Sequence, residues 1–400
     1  MRLRCVKLKT PPVNTFVSTP GRSKLVVLTA GIVILVFDSD SMPMLFQKLN
    51  STSSADLDSL TQWLHAQSGS LETPGAIPKQ QLQKCADADV FRWFLPAQYN
   101  GLGFSPQQIA DGYLRLASNC LTTTFVVTQW VAAVKRMLIG DNEDLRQRLF
   151  PELVTGRSHI TVGISHLTTS RQHLGRPALT AKKTEQGWVL DGYCPWVTAA
   201  SYADYLLVGA DIDDRQILIV VPTDLPGVTV HPGHQLLALT ASQTSRVDFQ
   251  NVVVDHQFLV AGPVASVLQC AGNQGTASVQ TSTLALAVAG AAIDFLGQQA
   301  AKRDELTEKH VALSQSWIDC YQDLIGVATG TLQCSNEQLR TQANSLVLRA
   351  TQASLVAAKG AGFVAGHPVG RWCREAMFFL VWSCPQTVQD ASLCELAGIH

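Results

Sequence analysis

Asp191-Gly-Tyr-Cys-Pro-Trp-Val-Thr198 is the stretch of sequence that decides the fold of this chain. Its Asp-Gly pair is typical of a β-turn, and the residues that follow predict a strand carrying Trp196 and Thr198. The stretch lies inside a block of short strands, between a helical N-terminal third and a helical C-terminal third. The fold that this segment predicts therefore depends on the helices and strands predicted around it.

The middle of the chain, from His159 to about Ala261, has the pattern of a sheet. Short apolar runs rich in β-branched residues are separated by Gly-containing turns such as Gln186-Gly187 and Pro226-Gly227. We expect six strands, in an antiparallel barrel or sandwich. They begin with Leu179-Thr-Ala-Lys-Lys, Trp188-Val-Leu-Asp, Tyr205-Leu-Leu-Val-Gly, Ile217-Leu-Ile-Val-Val, Val228-Thr-Val-His and Ser245-Arg-Val-Asp-Phe.

Helical patterns flank this block on both sides. Before it, from about Ser54 to Thr155, Ser105-Pro106 is a typical helix start and Gly140-Asp-Asn-Glu143 separates two helices. After it, four long helical patterns in series predict a four-helix bundle. They cover Thr283–Lys302, Ala312–Thr331, Glu337–Ala358 and Arg371–Leu396.

The predicted fold class is α+β, in four parts. Residues 1–44 are an N-terminal extension of uncertain meaning, and residues 45–157 form an N-terminal helical domain. Residues 158–265 form a middle antiparallel β-domain, and residues 270–400 form a C-terminal four-helix bundle. The 400 residues of the chain are enough for two or three structural units with a large shared core.

The first part contains an apolar run, Leu25 to Phe37, preceded by Arg22-Ser-Lys24. The run is short for a membrane span, which needs about 20 residues. Its length suits the core of a signal peptide, but no convincing cleavage site follows. A third interpretation, which we favour, is that translation begins at Met42 or Met44.

Composition excludes several classes of protein. The net charge of −1 and the 15% of charged residues do not favour a nucleic-acid-binding protein. Ten scattered cysteines without a CxxC motif predict a reducing compartment, and we expect a cytoplasmic protein. His231 and His234 are more typical of a solvated loop than of a metal pair, so no metal site is predicted.

Seven segments occur in an order that a known family shares. They are Pro96-Ala-Gln-Tyr-Asn-Gly-Leu-Gly103, 142–156, Asp191–Thr198, Val220-Val-Pro-Thr-Asp-Leu-Pro-Gly-Val228, Val247-Asp-Phe-Gln-Asn-Val-Val-Val-Asp255, Lys359-Gly-Ala-Gly-Phe363 and Arg374-Glu-Ala376. Each segment alone is a weak signal. Together they resemble the acyl-CoA dehydrogenase family, whose order of helical, β and four-helix parts is also the one predicted above.

This resemblance implies an FAD-dependent oxidoreductase that oxidises the CH–CH bond α,β to an acyl thioester. In that chemistry a carboxylate removes the α-proton and the β-hydrogen leaves as hydride to the flavin. The implied partners are an acyl-CoA or another acyl thioester and an electron acceptor. A homodimer or homotetramer is implied as well, because a second subunit completes the family's site.

Three residues match positions where the family contacts the flavin ring. Trp196 and Thr198 correspond to ring-contacting positions, and Ser165 corresponds to a Thr or Ser that hydrogen-bonds the isoalloxazine. Each also has an ordinary interpretation, because a tryptophan in a strand is often simply buried and hydroxyl side chains in strands are usually structural.

Three more residues match positions near the rest of the cofactor. Arg303 corresponds to an arginine that reaches the FAD pyrophosphate in the neighbouring subunit. Gly360 and Gly362 correspond to a turn where the backbone approaches the adenosine part. The alternatives are that Arg303 interacts with a helix dipole and that the glycines form a plain helix end and turn.

The chain departs from the family where catalysis is expected. The usual catalytic Glu falls on Ser383, and a serine is not basic at neutral pH without an activating partner. The alternative family location falls near Ala277-Ser278, again without a carboxylate. Pro385 cannot donate where the family binds the flavin, and the loop from Ser165 to Ser170 lacks the family's Pro and Gly residues.

These departures leave three hypotheses open. The chain could be a dehydrogenase with a displaced base, for which Glu375 and His166 are candidates. It could be a flavin-dependent monooxygenase of the same fold, which needs no α-proton base. It could also be a degenerate member of the family that binds a ligand without turnover.

Overall fold

The computed structural model describes residues 24–28, 32–36, 55–168, 177–270, 279–332 and 334–399, and it divides the chain into two units, Met1–Met44 and Leu45–His400. In the first unit, β1 (Lys24–Leu28) and β2 (Ile32–Val36) pair antiparallel. The described residues of the apolar run Leu25–Phe37 therefore form two short strands.

The second unit begins with five helices. The predicted helix start at Ser105 is confirmed, because the Ser105 side chain accepts from the Gln108 N–H while the Gln108 side chain accepts from the Ser105 N–H. Asn142 caps the fifth helix by accepting from the Leu145 N–H at 3.0 Å. The helices are α1 (Ala55–Gln67), α2 (Lys79–Asp87), α3 (Pro106–Asn119), α4 (Leu121–Ile139) and α5 (Glu143–Val154).

An eight-stranded sheet follows, with two short helices, α6 (Ser165–Thr168) and α7 (Val267–Cys270). Its order is β10-β7-β6-β4-β5-β9-β8, with β3 paired to β6. The strands are β3 (Ile160–Gly163), β4 (Leu179–Lys183), β5 (Trp188–Val197), β6 (Tyr205–Ile212), β7 (Arg215–Pro222), β8 (Val228–Val230), β9 (Ser245–Val254) and β10 (Leu259–Val264).

The sheet contains the six predicted strands and two more, and it is mixed where an antiparallel sheet was expected. β3 runs parallel to β6, because the β4–β5 hairpin separates them along the chain and acts as the crossover. All four residues of β3 are buried, so the strand lacks the alternation that would have revealed it.

The prediction of a turn at Asp191-Gly192 was wrong. β5 runs without interruption from Trp188 to Val197, and its register with β9 shifts between Leu190 and Gly192, as in a β-bulge. Gly192 has a φ of +127°, and a Cβ there would lie 2.2 Å from the Ala178 carbonyl oxygen. The Asp-Gly pair therefore bends the strand instead of ending it.

The last part is a helical bundle. Its first helix is long and apolar enough to cross a membrane by length and composition, but most of it is buried within the protein, as in a core helix. The helices are α8 (Val279–Ala300), α9 (Thr307–Thr329), α10 (Asn336–Ala358), α11 (Pro368–Phe378) and α12 (Gln386–Ala397).

The fourth bundle helix, predicted to be continuous from Arg371 to Leu396, is broken into α11 and α12. Ser383 takes a left-handed φ of +43°, and Pro385 precedes α12. A proline has no N–H and disfavours helical backbone in the residue before it, so the helix cannot continue through this point. Residues 379–385 form what we call the α11–α12 turn.

Candidate functional site

The end of β5 exposes an aromatic ring. Trp196 is 48% exposed, although both of its neighbours in the chain are buried. The ring of His234 lies against it, with the two ring centroids 4.8 Å apart. A large, flat, half-exposed indole at the end of a buried strand is suited to pack against another flat ring.

A group of buried hydroxyls lies directly behind Trp196. The Thr198 hydroxyl is 2.9 Å from that of Thr244, which is 2.9 Å from that of Ser242. The Thr161 hydroxyl donates to the Thr198 carbonyl at 2.7 Å. Ala199 follows with a φ of +65° and donates its N–H to the Ser242 carbonyl, which fixes the chain at this point. The hydroxyls of Thr198, Thr244 and Ser242 are called the hydroxyl chain below.

Ser165 and His166 follow the end of β3 on the short helix α6, which packs against β5. The Ser165 hydroxyl is buried. The His166 Nε2 lies 2.8 Å from the Gly209 carbonyl oxygen, which can only accept, so Nε2 carries the proton. Nδ1 is then the deprotonated nitrogen of the neutral ring, and burial lowers the pKa of His166.

Arg303, Gly360 and Gly362 come together in the bundle. The Arg303 Nη2 donates to the Ala357 carbonyl at 2.6 Å, just before the turn that contains both glycines. A Cβ on Gly362 would lie 2.7 Å from the Ala358 Cβ, so packing within the chain already requires this glycine, whereas a Cβ on Gly360 would point into open space. Beside them the Phe363 side chain is almost fully exposed.

Buried polar side chains of α10 hold the α11–α12 turn. The fully buried Arg340 donates from Nη2 to the carbonyls of Phe379, at 3.0 Å, and of Trp382, at 3.1 Å. Asn344 donates to the same Phe379 carbonyl at 3.1 Å. Burial lowers the pKa of Arg340 to about 10, which leaves the side chain charged at neutral pH. The turn is fixed, but its Ser383 offers no group that ionises at neutral pH.

Glu375, a candidate base, lies in a different setting. The Glu375 carboxylate is buried, and its Oε1 lies 3.6 Å from the Nε of Arg371, one turn earlier in α11. Burial raises the pKa of Glu375, and the Arg371 charge opposes that rise. An ion pair with Arg371 occupies this carboxylate.

The structure thus brings the predicted residues into two groups. Trp196 and Thr198 lie at the end of β5, with Ser165 on the helix α6 that packs against this strand, and Arg303, Gly360 and Gly362 lie together in the bundle. Sequence reasoning missed Thr244, Ser242 and Arg340. A threonine directly before a strand and an arginine inside a helix are too common to be noticed without the fold, so no local signal would have revealed them.

Comparison with known proteins gives one family. The family model for the acyl-CoA dehydrogenase middle domain matches residues 167–252. A benzylmalonyl-CoA dehydrogenase of Aromatoleum aromaticum is 25% identical over 193 residues, covering 47% of this chain and 50% of that protein. The mitochondrial short-chain specific acyl-CoA dehydrogenase of Bos taurus is 22% identical over 266 residues, covering 65% of this chain and 63% of that protein. The chain spans about half the length of the curated relatives it matches.

Solved structures confirm the fold. Butyryl-CoA dehydrogenase from Megasphaera elsdenii superposes with a TM-score of 0.72 at 15% identity, covering 86% of this chain and 99% of that one. A glutaryl-CoA dehydrogenase from Mycobacterium smegmatis in complex with FADH2 superposes with a TM-score of 0.71 at 17% identity, covering 88% of this chain and 97% of that one. The predicted arrangement of a helical part, a middle sheet and a bundle is confirmed.

Proposed function

The chain is a divergent member of the acyl-CoA dehydrogenase family, and from that premise we propose that it is an FAD-dependent oxidoreductase acting on an acyl thioester. The observation that carries the proposal is the half-exposed indole of Trp196 at the end of β5. A half-exposed tryptophan between buried neighbours offers a flat surface on which a planar cofactor ring can pack.

The residues at this strand end fit a flavin. Trp196 would form one wall of the ring site and exclude water from it, and Thr198 would contribute a hydroxyl at the same place. Arg303 would bind the phosphates of FAD. Of its guanidinium nitrogens, only Nη2 has hydrogen-bond partners among the described residues, which leaves the others to donate to a phosphate. When bound, FAD supplies the hydride acceptor for the β-hydrogen of the substrate.

The α-proton of the thioester needs a base from this chain. The Ser383 hydroxyl is too weak a base at neutral pH, and Glu375 is held in its ion pair with Arg371. His166 is the other candidate: its neutral ring keeps an unprotonated Nδ1, which is buried without a hydrogen-bond partner among the described residues, so a substrate would reach it only after a local rearrangement. In such a reaction Nδ1 of His166 would take up the α-proton, and FAD, when bound, would supply the acceptor for the β-hydrogen, so that the product would be an α,β-unsaturated thioester.

A second copy of the chain would complete the site. The side chains of Val356, Phe363 and Val364 are exposed beside Arg303 and Gly360, and they form an apolar surface at the end of α10. Such a surface suits a subunit interface. We therefore include a homodimer or homotetramer in the proposal, together with an electron acceptor that takes the electrons from the reduced cofactor.

The test is the visible absorbance spectrum of the purified protein with added FAD, followed by anaerobic addition of acyl-CoAs of several chain lengths. We expect a bound-flavin spectrum and a slow loss of the oxidised flavin band with at least one acyl-CoA. If FAD binds but no acyl-CoA reduces it, the protein binds the cofactor without oxidising an acyl-CoA, and the thioester part of the proposal fails. A protein that binds no FAD would overturn the proposal.

A further inference from the structure

His231 and His234 lie three residues apart but contact different neighbours. The His231 Nε2 lies 2.9 Å from the Asp248 Oδ2. The His234 ring lies against the Trp196 ring instead, with the two centroids 4.8 Å apart and the planes inclined by 54°. Among the residues that the structure describes, no group of three or more His, Cys, Asp or Glu side chains could hold a metal ion. The two histidines therefore have separate roles, and that of His234 concerns Trp196.

The backbone around His234 is fixed by its neighbours. His234 donates its N–H to the carbonyl of Thr244, a member of the hydroxyl chain, at 2.9 Å. Gly233 lies so close to Gln243 that a Cβ on the glycine would be 2.7 Å from the Gln243 Oε1 and 3.3 Å from its Cα. The Gln243 amide donates in turn to the Ala76 carbonyl at 2.9 Å. These contacts hold the backbone of His234 in place, so its imidazole is kept beside the end of β5.

The ring of Trp196 stands out from a buried strand. Its neighbours Pro195 and Val197 are buried, whereas Trp196 itself is 48% exposed. An exposed side chain changes rotamer readily unless a neighbour packs against it. Among the described residues, His234 makes the one aromatic ring contact of Trp196. An indole has two broad faces, and a single imidazole against it leaves half of the residue open to another ring.

We infer that His234 is a positioning residue, which packs against one side of Trp196 and holds the indole with its open side towards the flat ring of a ligand. For FAD this inference rests on the proposed function and extends it, because it adds a residue that sets how tightly the ring site binds. His234 acts through Trp196 and does not itself touch the cofactor. An indole that is held in place before binding loses less conformational freedom when the ligand packs on it.

The contact is tested first on the protein without any ligand, by the rate at which N-bromosuccinimide oxidises Trp196, read from the mass of its peptide. We expect His234→Ala to raise this rate about twofold to tenfold, the range in which an aromatic contact shifts an equilibrium between a covered and an uncovered ring. His234→Phe, which keeps a flat ring, should react like the unmodified protein. The matched control is His231→Gln in the same loop, which should also leave the rate unchanged. An unchanged rate in His234→Ala would overturn the inference.

The second test is an equilibrium titration of the same variants with FAD. We expect His234→Ala to weaken FAD binding about twofold to tenfold, with His234→Phe restoring the affinity and His231→Gln leaving it unchanged. In a Trp196→Ala background, His234→Ala should have no further effect on FAD binding, because His234 acts through Trp196. A loss of the same size in that background would show a role in the structure of the loop alone and would overturn the inference.

The remaining outcomes separate this inference from the proposed function. Tighter FAD binding in His234→Ala would show that the imidazole covers the side that the ligand uses, and the positioning role would be wrong. If the unmodified protein and His234→Ala bind FAD equally well, the inference fails and the proposed function stands. If the unmodified protein binds no FAD, the proposed function fails, and the oxidation rates of Trp196 alone decide whether His234 holds the indole.

Discussion

The end of β5 and the α11–α12 turn are built in similar ways but present different chemistry. Buried hydroxyls hold the end of β5, and the buried Arg340 and Asn344 hold the turn. The strand end presents the half-exposed indole ring of Trp196, which is suited to pack against another flat ring. The turn presents Ser383, which does not ionise at neutral pH. Under the proposed function, the chain keeps residues for a cofactor at the strand end and has changed those for proton removal at the turn.

Among the changes that test this comparison, Ser383→Glu in the α11–α12 turn is expected to have the largest effect, on the rate of flavin reduction. A carboxylate at this position adds a general base where the turn has none, and general bases contribute about 10²–10⁴-fold to rates. We expect the rate at which an acyl-CoA reduces bound flavin to rise by about that factor in anaerobic stopped-flow absorbance. Glu and Ser face a similar strain at a φ of +43°, so the turn tolerates the change.

Ser383→Gln is the matched control, because it has the shape of the glutamate without its basicity. It should leave the reduction rate near that of the unmodified protein. An equal rise in both variants would show that shape, and not proton removal, limits the reaction. No rise in the Glu variant would contradict the view that the turn lacks only a base, and replacing His166 would then show whether that residue already removes the α-proton.

A smaller effect is expected from Arg340→Met, which removes the support of the turn. The variant loses hydrogen bonds from a charged donor to two carbonyls, and bonds of this kind contribute about 1.5–3 kcal/mol each. We expect the free energy of unfolding to fall by about 3 kcal/mol in urea titrations. Arg349→Met, on the exposed face of the same helix, should cost less than about 0.5 kcal/mol. Equal losses would refute the supporting role of Arg340.

The smallest effect concerns pH and His166, beside the strand end. Burial lowers the pKa of His166 in the folded protein, so below about pH 6.5 the unfolded chain takes up a proton that the folded chain resists. The contribution of His166 to stability is therefore full above pH 6.5 and falls as the pH drops below it. We expect His166→Gln to reduce the slope of unfolding free energy against pH in this window, by at most about 1.4 kcal/mol per pH unit. Unchanged slopes would contradict the burial of a neutral ring.

The sequence predicted the parts of the fold that local patterns encode. The Ser105-Pro106 helix start and the starts of α9 and α10 follow from capping residues and periodicity, within a few residues. β3, Ile160-Thr-Val-Gly163, was missed because it is only four residues long and all of its residues are buried, so it offers little pattern to read. The break between α11 and α12 was missed although Pro385 signals a helix end in the sequence; only the support of the turn by Arg340 is remote in sequence.

The candidate site was predicted only in part. The resemblance of Asp191–Thr198 to a family segment pointed to Trp196 and Thr198, and the structure places both at one strand end. The partners of Thr198, Thr244 and Ser242, lie more than 40 residues away in sequence, and only the pairing of β5 with β9 brings them close. Contacts between distant residues are set by the fold, so local patterns could not reveal them.

The central claim is that the end of β5 holds a flavin, and an equilibrium titration of FAD tests it most directly. Trp196→Ala is compared with the unmodified protein and with Ile139→Ala, whose side chain is similarly exposed at 49%. Loss of aromatic stacking costs about 1–3 kcal/mol. The account predicts FAD binding that weakens about tenfold to a hundredfold in Trp196→Ala and stays unchanged in Ile139→Ala. FAD binding that is equally strong in all three proteins, or absent from all three, would contradict it.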